Sequence, residues 1–159
     1  MSSPAAARKT PDSALVLAQF LPYRLSALSN RVSRAIARAY ERAFALTIPE
    51  WRVIAVLGRD GALTAADLVE ATQMDKVAIS RAVARLVRAG RLKAAPDRGD
   101  ARKLVLRLTA RGASVYDAVA PMALDYEARL MATLTAEERR VLDRALAKLA
   151  AAARDLDRE

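Results

Sequence analysis

The sequence predicts a mainly α-helical fold carrying one small β-wing. Three observations support that prediction. Apolar residues recur at three- and four-residue steps over most of the chain. Threonines at 47, 64 and 135 each stand three residues ahead of a carboxylate, the spacing of a capping box at a helix start. Strand-like alternation is clear from Lys103 to Leu108, directly after the turn-forming run Asp97-Arg98-Gly99-Asp100.

The elements follow in order. Residues 1–12 contain Ser, Pro, Ala and Arg without periodicity and are expected to form a flexible tail. From Ser13 to about Ala45, Leu21, Leu25, Leu28, Val32, Ile36 and Ala39 keep helical spacing, and Pro22 should kink this helix or begin a fresh one. Thr47-Ile48-Pro49-Glu50 opens a second helix to Gly58, and Thr64 to Asp67 opens a short third one through about Thr72. After a tight turn at Gln73-Met74, Asp75 caps a helix that ends at Gly90. A strand is expected around Arg91 to Ala95, then a charged loop. The next strand sets Leu104, Leu106 and Leu108 against Lys103, Val105 and Arg107. Thr109 opens a helix with Pro121 in its interior, and Thr135 to Glu138 opens the last one.

Helix, strand, charged loop, strand is the layout of a winged helix-turn-helix, so the expected partner is double-stranded DNA. The charge agrees: 27 Lys and Arg against 18 Asp and Glu give a formal +9, which favours polyanions. With no cysteine, disulfides, thiolate metal sites and thiol redox sensing are excluded, and with no histidine the commonest general base and metal ligand is missing. Neither a cofactor nor a metal is expected. No apolar run is long enough to span a bilayer and Met1 to Pro11 lacks a signal-peptide core, so no membrane association and a cytoplasmic location are expected. Asp97 with Asp100, and Glu137 with Glu138, are carboxylate pairs close in sequence. Each lies in a charged loop or a first helical turn, where solvation and capping explain it, and catalysis is not expected.

On the helix from Lys76 to Ala89, Ile79, Val83, Leu86 and Val87 project to one face and are expected to be core. The opposite face carries Val77, Arg81, Ala84, Arg85 and Arg88. Small residues there allow close approach to a groove while the arginines reach base edges and phosphates. With the wing, the candidate DNA contacts are Lys76, Val77, Ala78, Ser80, Arg81, Arg85, Arg88, Arg98, Asp100 and Arg102. Asp100 is expected to hold Arg102 by a charge-assisted pair, and Gly99 to turn the chain.

From about Phe20 to Arg140 the chain resembles the multiple antibiotic resistance regulator (MarR) family. The resemblance rests on Leu-Thr-Ile-Pro-Glu-Trp-Arg at 46–52, Met-Asp-Lys-Val-Ala-Ile-Ser-Arg at 74–81 and Asp-Arg-Gly-Asp-Ala-Arg-Lys at 97–103. Within the last, Asp100 and Arg102 match the family's Asp-x-Arg, and Leu-Thr-x-x-Gly follows at 108–112. The resemblance implies a homodimer with interlocked first and last helices, a pseudo-palindromic operator and release by a small ligand. One departure is Arg91, where an apolar residue is more usual after the helix-terminal glycine, and the missing cysteine places the chain outside the peroxide-sensing branch.

The chain's ends point to a dimer independently. Leu15, Leu17, Phe20, Leu124, Leu130, Met131, Leu134, Val141, Leu142, Leu146 and Leu149 are more than a small winged domain can cover. The expected organisation is a tail (1–12), an N-terminal dimerisation region (13–45), a winged DNA-binding domain (46–112) and C-terminal dimerisation helices (113–159). A two-fold dimer would present its recognition helices about 34–36 Å apart, one turn of DNA. In the resemblance, ligands lodge between dimerisation helices and DNA-binding lobe, which would bring Tyr23, Arg24, Ser29, Arg31, Arg38 and Trp51 into range. An arginine beside Tyr or Trp suits a small aromatic acid, the guanidinium taking the carboxylate while the rings stack. Trp51 reads equally as core, and the first-helix arginines as a solvated stripe. The competing functional reading is a ligand-independent architectural DNA binder, or a helical dimer acting through a protein partner.

Overall fold

The computed structural model describes residues 15–157 apart from 98 and 101, so the expected tail and Arg98 lie outside the described residues. The chain divides into two compact units, residues 1–35 and 36–159. Eight elements follow in order: α1 (Leu21–Phe44), α2 (Ile48–Asp60), α3 (Ala65–Thr72), α4 (Lys76–Arg88), β1 (Leu92–Pro96), β2 (Leu104–Leu108), α5 (Ala110–Met131) and α6 (Ala136–Leu156).

Helix α1 starts at Leu21, not near Ser13. Pro22 is its second residue, where the fixed φ suits a helix and the missing N–H has no partner to lose, so the proline begins the helix. The three threonine boxes form as expected. At α2, Glu50 accepts the Thr47 main-chain N–H at 2.7 Å while Thr47 Oγ1 accepts the Glu50 N–H at 3.4 Å. Thr64 with Asp67 and Thr135 with Glu138 repeat this pairing at α3 and α6. In both, the threonine's hydrogen bonds hold the carboxyl below its usual range.

Helix α2 runs past its expected end at Gly58 to Asp60 and stops at Gly61 (φ +83°). Gly58 is an interior residue with a packing role, since a Cβ there would lie 2.3 Å from the Tyr116 ring of α5. The core centres on Val53, Ile54 and Leu57 of α2, with Leu68 of α3, Ile79, Ala82 and Leu86 of α4, and Val115 and Val119 of α5 packed around them. Val87 is 43% exposed and does not join it. It lies about 100° round the helix from Leu86, and Ala82 takes the remaining place on the buried face.

Strands β1 and β2 pair antiparallel, Leu92 opposite Leu108 and Pro96 opposite Leu104. The expected one-sided apolar strand is not what forms. Leu104 is 62% exposed at the loop end, whereas Val105 and Leu106, on opposite faces, are both buried. Leu106 is held by a third segment: Leu63, between α2 and α3, bridges it through two main-chain hydrogen bonds of 3.2 and 2.7 Å.

Candidate nucleic-acid interface

Helices α3 and α4 join through a short turn in which Gln73 is left-handed (φ 53°, ψ 35°). That conformation costs a non-glycine residue energy, and the Gln73 amide compensates by donating to the Glu70 carbonyl at 2.6 Å. Asp75 then caps α4, its carboxylate accepting the Ala78 N–H at 2.8 Å. The helix closes with Gly90 at φ +67°, the Gly90 N–H reaching Val87 O and the Arg91 N–H reaching Leu86 O, both at 2.9 Å. Both ends of α4 are therefore fixed by local bonds, and the Ile79–Ala82–Leu86 stripe fixes its rotation.

That rotation turns Lys76, Val77, Ser80, Arg81, Ala84, Arg85 and Arg88 to the exposed side, with Ala78 half-buried. Arg81, Arg85 and Arg88 line one groove of about 670 Å³, which extends to Thr47 and Pro49 at the start of α2. Lys76, Ser80 and Ala84 line a second groove of about 610 Å³ against Ala65, Ala66 and Val69 of α3. The α4 face is thus a ridge between two furrows. Among the described residues, Arg81, Arg85 and Arg88 pair with no carboxylate, so their charge is available to a polyanion. The sequence reading missed Thr47 and Pro49 as neighbours of these arginines; their capping box located a helix start, with no signal for what lay beside it.

The wing tip is built by main-chain bonds. The Asp97 N–H donates to Lys103 O at 2.8 Å and the Lys103 N–H to Asp100 O at 2.9 Å. Asp100 Oδ1 accepts the main-chain N–H of Arg102 at 3.1 Å, and no Asp100–Arg102 ion pair forms among the described residues. The expected Asp100–Arg102 pair is therefore not made: the carboxylate is taken up by the turn's own backbone, and the Arg102 side chain is exposed with that of Lys103. Lys93, on β1, is exposed as well. At the wing's base, Thr109 Oγ1 accepts the Gly112 N–H and donates to Gly90 O. A Cβ at Gly112 would lie 2.1 Å from Arg91 O, which explains the glycine in Leu-Thr-x-x-Gly.

The six candidate effector residues are divided between the two units, Tyr23, Arg24, Ser29 and Arg31 in the first and Arg38 and Trp51 in the second. Tyr23, Arg24 and Arg31 line a surface groove of about 430 Å³ on α1 with Leu21, Leu25 and Leu28. Ser29 and Arg38 are exposed elsewhere along the same helix. Trp51 is half-buried in an aromatic row, its ring 5.7 Å from that of Tyr40 and 6.4 Å from that of Tyr116. Tyr40 is buried, and burial pushes its phenol up to about 12, Glu41 adding to the shift and Arg52 opposing it. Of the carboxylates weighed for catalysis, Glu138 caps α6 and Glu137 pairs with Arg140 at 2.5 Å. No group of three acidic residues that could hold a metal occurs among the described residues, and no described helix is long and apolar enough to cross a membrane.

A rigidly capped helix with a free arginine face, backed by a complete core and followed by a charged hairpin, defines a winged helix-turn-helix of the DNA-binding class. Residues 46–103 match the MarR family profile. The HTH-type transcriptional repressor NicR of Pseudomonas putida is 30% identical over 122 residues, covering 70% of this chain and 77% of NicR. This chain belongs to the MarR family of transcriptional regulators. Solved structures agree on the fold. A MarR/EmrR family regulator from Acinetobacter superposes with a TM-score of 0.81 at 23% identity, covering 89% of this chain and 99% of that one. BpsR of Bordetella bronchiseptica, whose DNA binding is regulated by 6-hydroxynicotinic acid, superposes with a TM-score of 0.74 at 22% identity, covering 87% and 98%.

Proposed function

We propose that the protein is a homodimeric repressor that binds a pseudo-palindromic operator and is released by a small aromatic or heteroaromatic carboxylic acid. The observation that carries the DNA half of this reading is the outward face of α4, with Arg81, Arg85 and Arg88 exposed and unpaired beside small residues. Arg81, in the first half of the helix, reads a base edge; Arg88, near its end, holds a phosphate; Arg102, on the wing, enters the minor groove. Arg98 belongs to the same tip in the sequence. The dimer rests on the unburied apolar face of α6, and repression on the likeness to NicR.

The ligand class is supported by the groove that joins Tyr23 to Arg24 and Arg31, and by the heteroaromatic acid that regulates BpsR. Such a ligand acts only by binding the DNA-incompetent state more tightly than the competent one. Release by about 100-fold needs roughly 2.7 kcal/mol of that difference, within reach of a bidentate arginine contact plus ring stacking.

The test is an operator mobility shift with and without 6-hydroxynicotinic and benzoic acids, run beside Trp51 fluorescence. The acid should lower operator affinity, change the Trp51 emission, and itself bind less well when operator is present. Operator binding unaffected by either acid, with Arg24, Arg31 and Arg38 variants all indifferent, removes the ligand half and leaves the DNA half standing.

A further inference from the structure

Arg91 stands at the joint between α4 and the wing, and its guanidinium is only half used. Nη2 donates to the Phe44 carbonyl at the end of α1, 2.5 Å away, while Nε is buried without a hydrogen-bond partner. Around it, Arg42, Arg111 and Ser114 line a recess of about 490 Å³, and no carboxylate is among the lining residues. Arg42, Arg91 and Arg111 form no ion pair among the described residues. Arg111 is the second residue of α5, where the positive end of the helix dipole disfavours a cation, and that first turn holds no acidic residue.

Three guanidiniums facing one recess repel each other, and an unpaired buried N–H adds its own desolvation cost. A single ligand relieves both. We infer that this recess is a second ligand site, taking a small anion with two or more negative charges, of the phosphate-ester or di- and tricarboxylate class. A monocarboxylate fork occupies one guanidinium and leaves two uncompensated. The site therefore differs in chemistry from the one proposed for the aromatic effector, and does not depend on it. It also sits at a mechanical joint: the Arg91 N–H closes α4 on Leu86 O, and Arg91 O accepts the Thr109 N–H at the head of α5.

The experiment is calorimetric titration of the full chain with pyrophosphate and with citrate, benzoate serving as the monoanion control. Wild type should bind one multivalent anion per protomer. Arg42→Gln and Arg111→Gln, both exposed and both sparing the Arg91 bond to Phe44, should each weaken binding about tenfold or more with the thermal midpoint retained. The salt dependence of operator binding should be the same in the double variant as in wild type. Absence of saturable binding, or equal affinity in the double variant, overturns the site. A double variant with a flatter salt slope, together with displacement of pyrophosphate by DNA, overturns it too, because the arginines would then be meeting the DNA backbone.

Discussion

Leu86 on α4 is fully buried, whereas Leu146 on α6, the same side chain in a longer helix, is 44% exposed. Both helices are amphipathic and both are capped by the same kind of local bond. Their difference is where the covering surface comes from. The stripe of α4 meets α2 within the chain; α6 has no buried residue along its 21, and Val141, Leu142, Leu146, Leu149 and Leu156 are all exposed. Burying such a side chain is worth about 1.5–3 kcal/mol, so an uncovered row of them is a strong drive to associate. Amphipathicity says that a face needs covering and is silent about which chain covers it.

If two copies of the α4 face and wing engage DNA together, six to ten phosphate contacts imply a loss of about 10³–10⁵ in affinity between 50 and 200 mM salt, measured by mobility shift. A salt-insensitive complex would sink the proposed docking. Next, Leu142→Glu with Leu146→Glu should leave a folded monomer by sedimentation and circular dichroism, with operator affinity down by about 100-fold as avidity is lost. Leu86→Ala should instead lower the unfolding free energy by about 2–5 kcal/mol without changing the assembly of what remains folded. If the glutamate pair melts the lobe and Leu86→Ala splits the dimer, the assignment of the two helices is inverted.

Smaller effects test the face itself. Arg81→Ala should cost about 1–3 kcal/mol and relax preference at one base position, while Arg88→Ala weakens all sequences alike, as read by competition with scrambled operators. Tyr40 supplies an alkaline signature. Its folded value of about 12 lies above the ordinary 10.0, so the folded state favours the neutral phenol. That stabilisation is full below pH 10 and lost as pH rises toward 12; denaturant melts should record the decline, and Tyr40→Phe should abolish this part of it. The smallest effect has the most informative sign. Asp100→Ala removes a negative charge yet should weaken operator binding, because the carboxylate holds the turn that presents Arg102. Tighter binding would mean that only the net charge of the wing matters.

What was legible in the sequence was local. The capping boxes, the tight turn before α4, the glycine after it and the charged hairpin all depend on residues within a few positions of each other. The outward side of α4 followed from the helical period alone, and Val77, Arg81, Ala84, Arg85 and Arg88 are all exposed as projected. What was missed depends on distant partners. Gly58 read as a helix end because the ring that needs its missing Cβ belongs to Tyr116. Val87 read as core because the period marks a sector of the helix, while the packing of α2 decides where that sector ends. The Leu63–Leu106 bridge leaves no periodic trace, being a single pair of residues. Among the candidate effector residues, heptad spacing gathers only Arg24, Arg31 and Arg38 on one face of the first helix; the others came from resemblance.

The chain's cations are unevenly divided: arginine dominates, and lysine occurs only at 9, 76, 93, 103 and 148. Lys76 stands on the outward face of α4, and Lys93 and Lys103 on the wing, all exposed. Primary amines are thus concentrated where DNA is proposed to lie, while most of the remaining positive surface is guanidinium, which amine-directed acylating reagents leave untouched. Peptide mapping of acylated protein, with and without operator, would therefore report chiefly on that face, with Lys148 on α6 as the internal reference for unshielded reaction and Lys9 and the terminal amine as the remaining reactive amines.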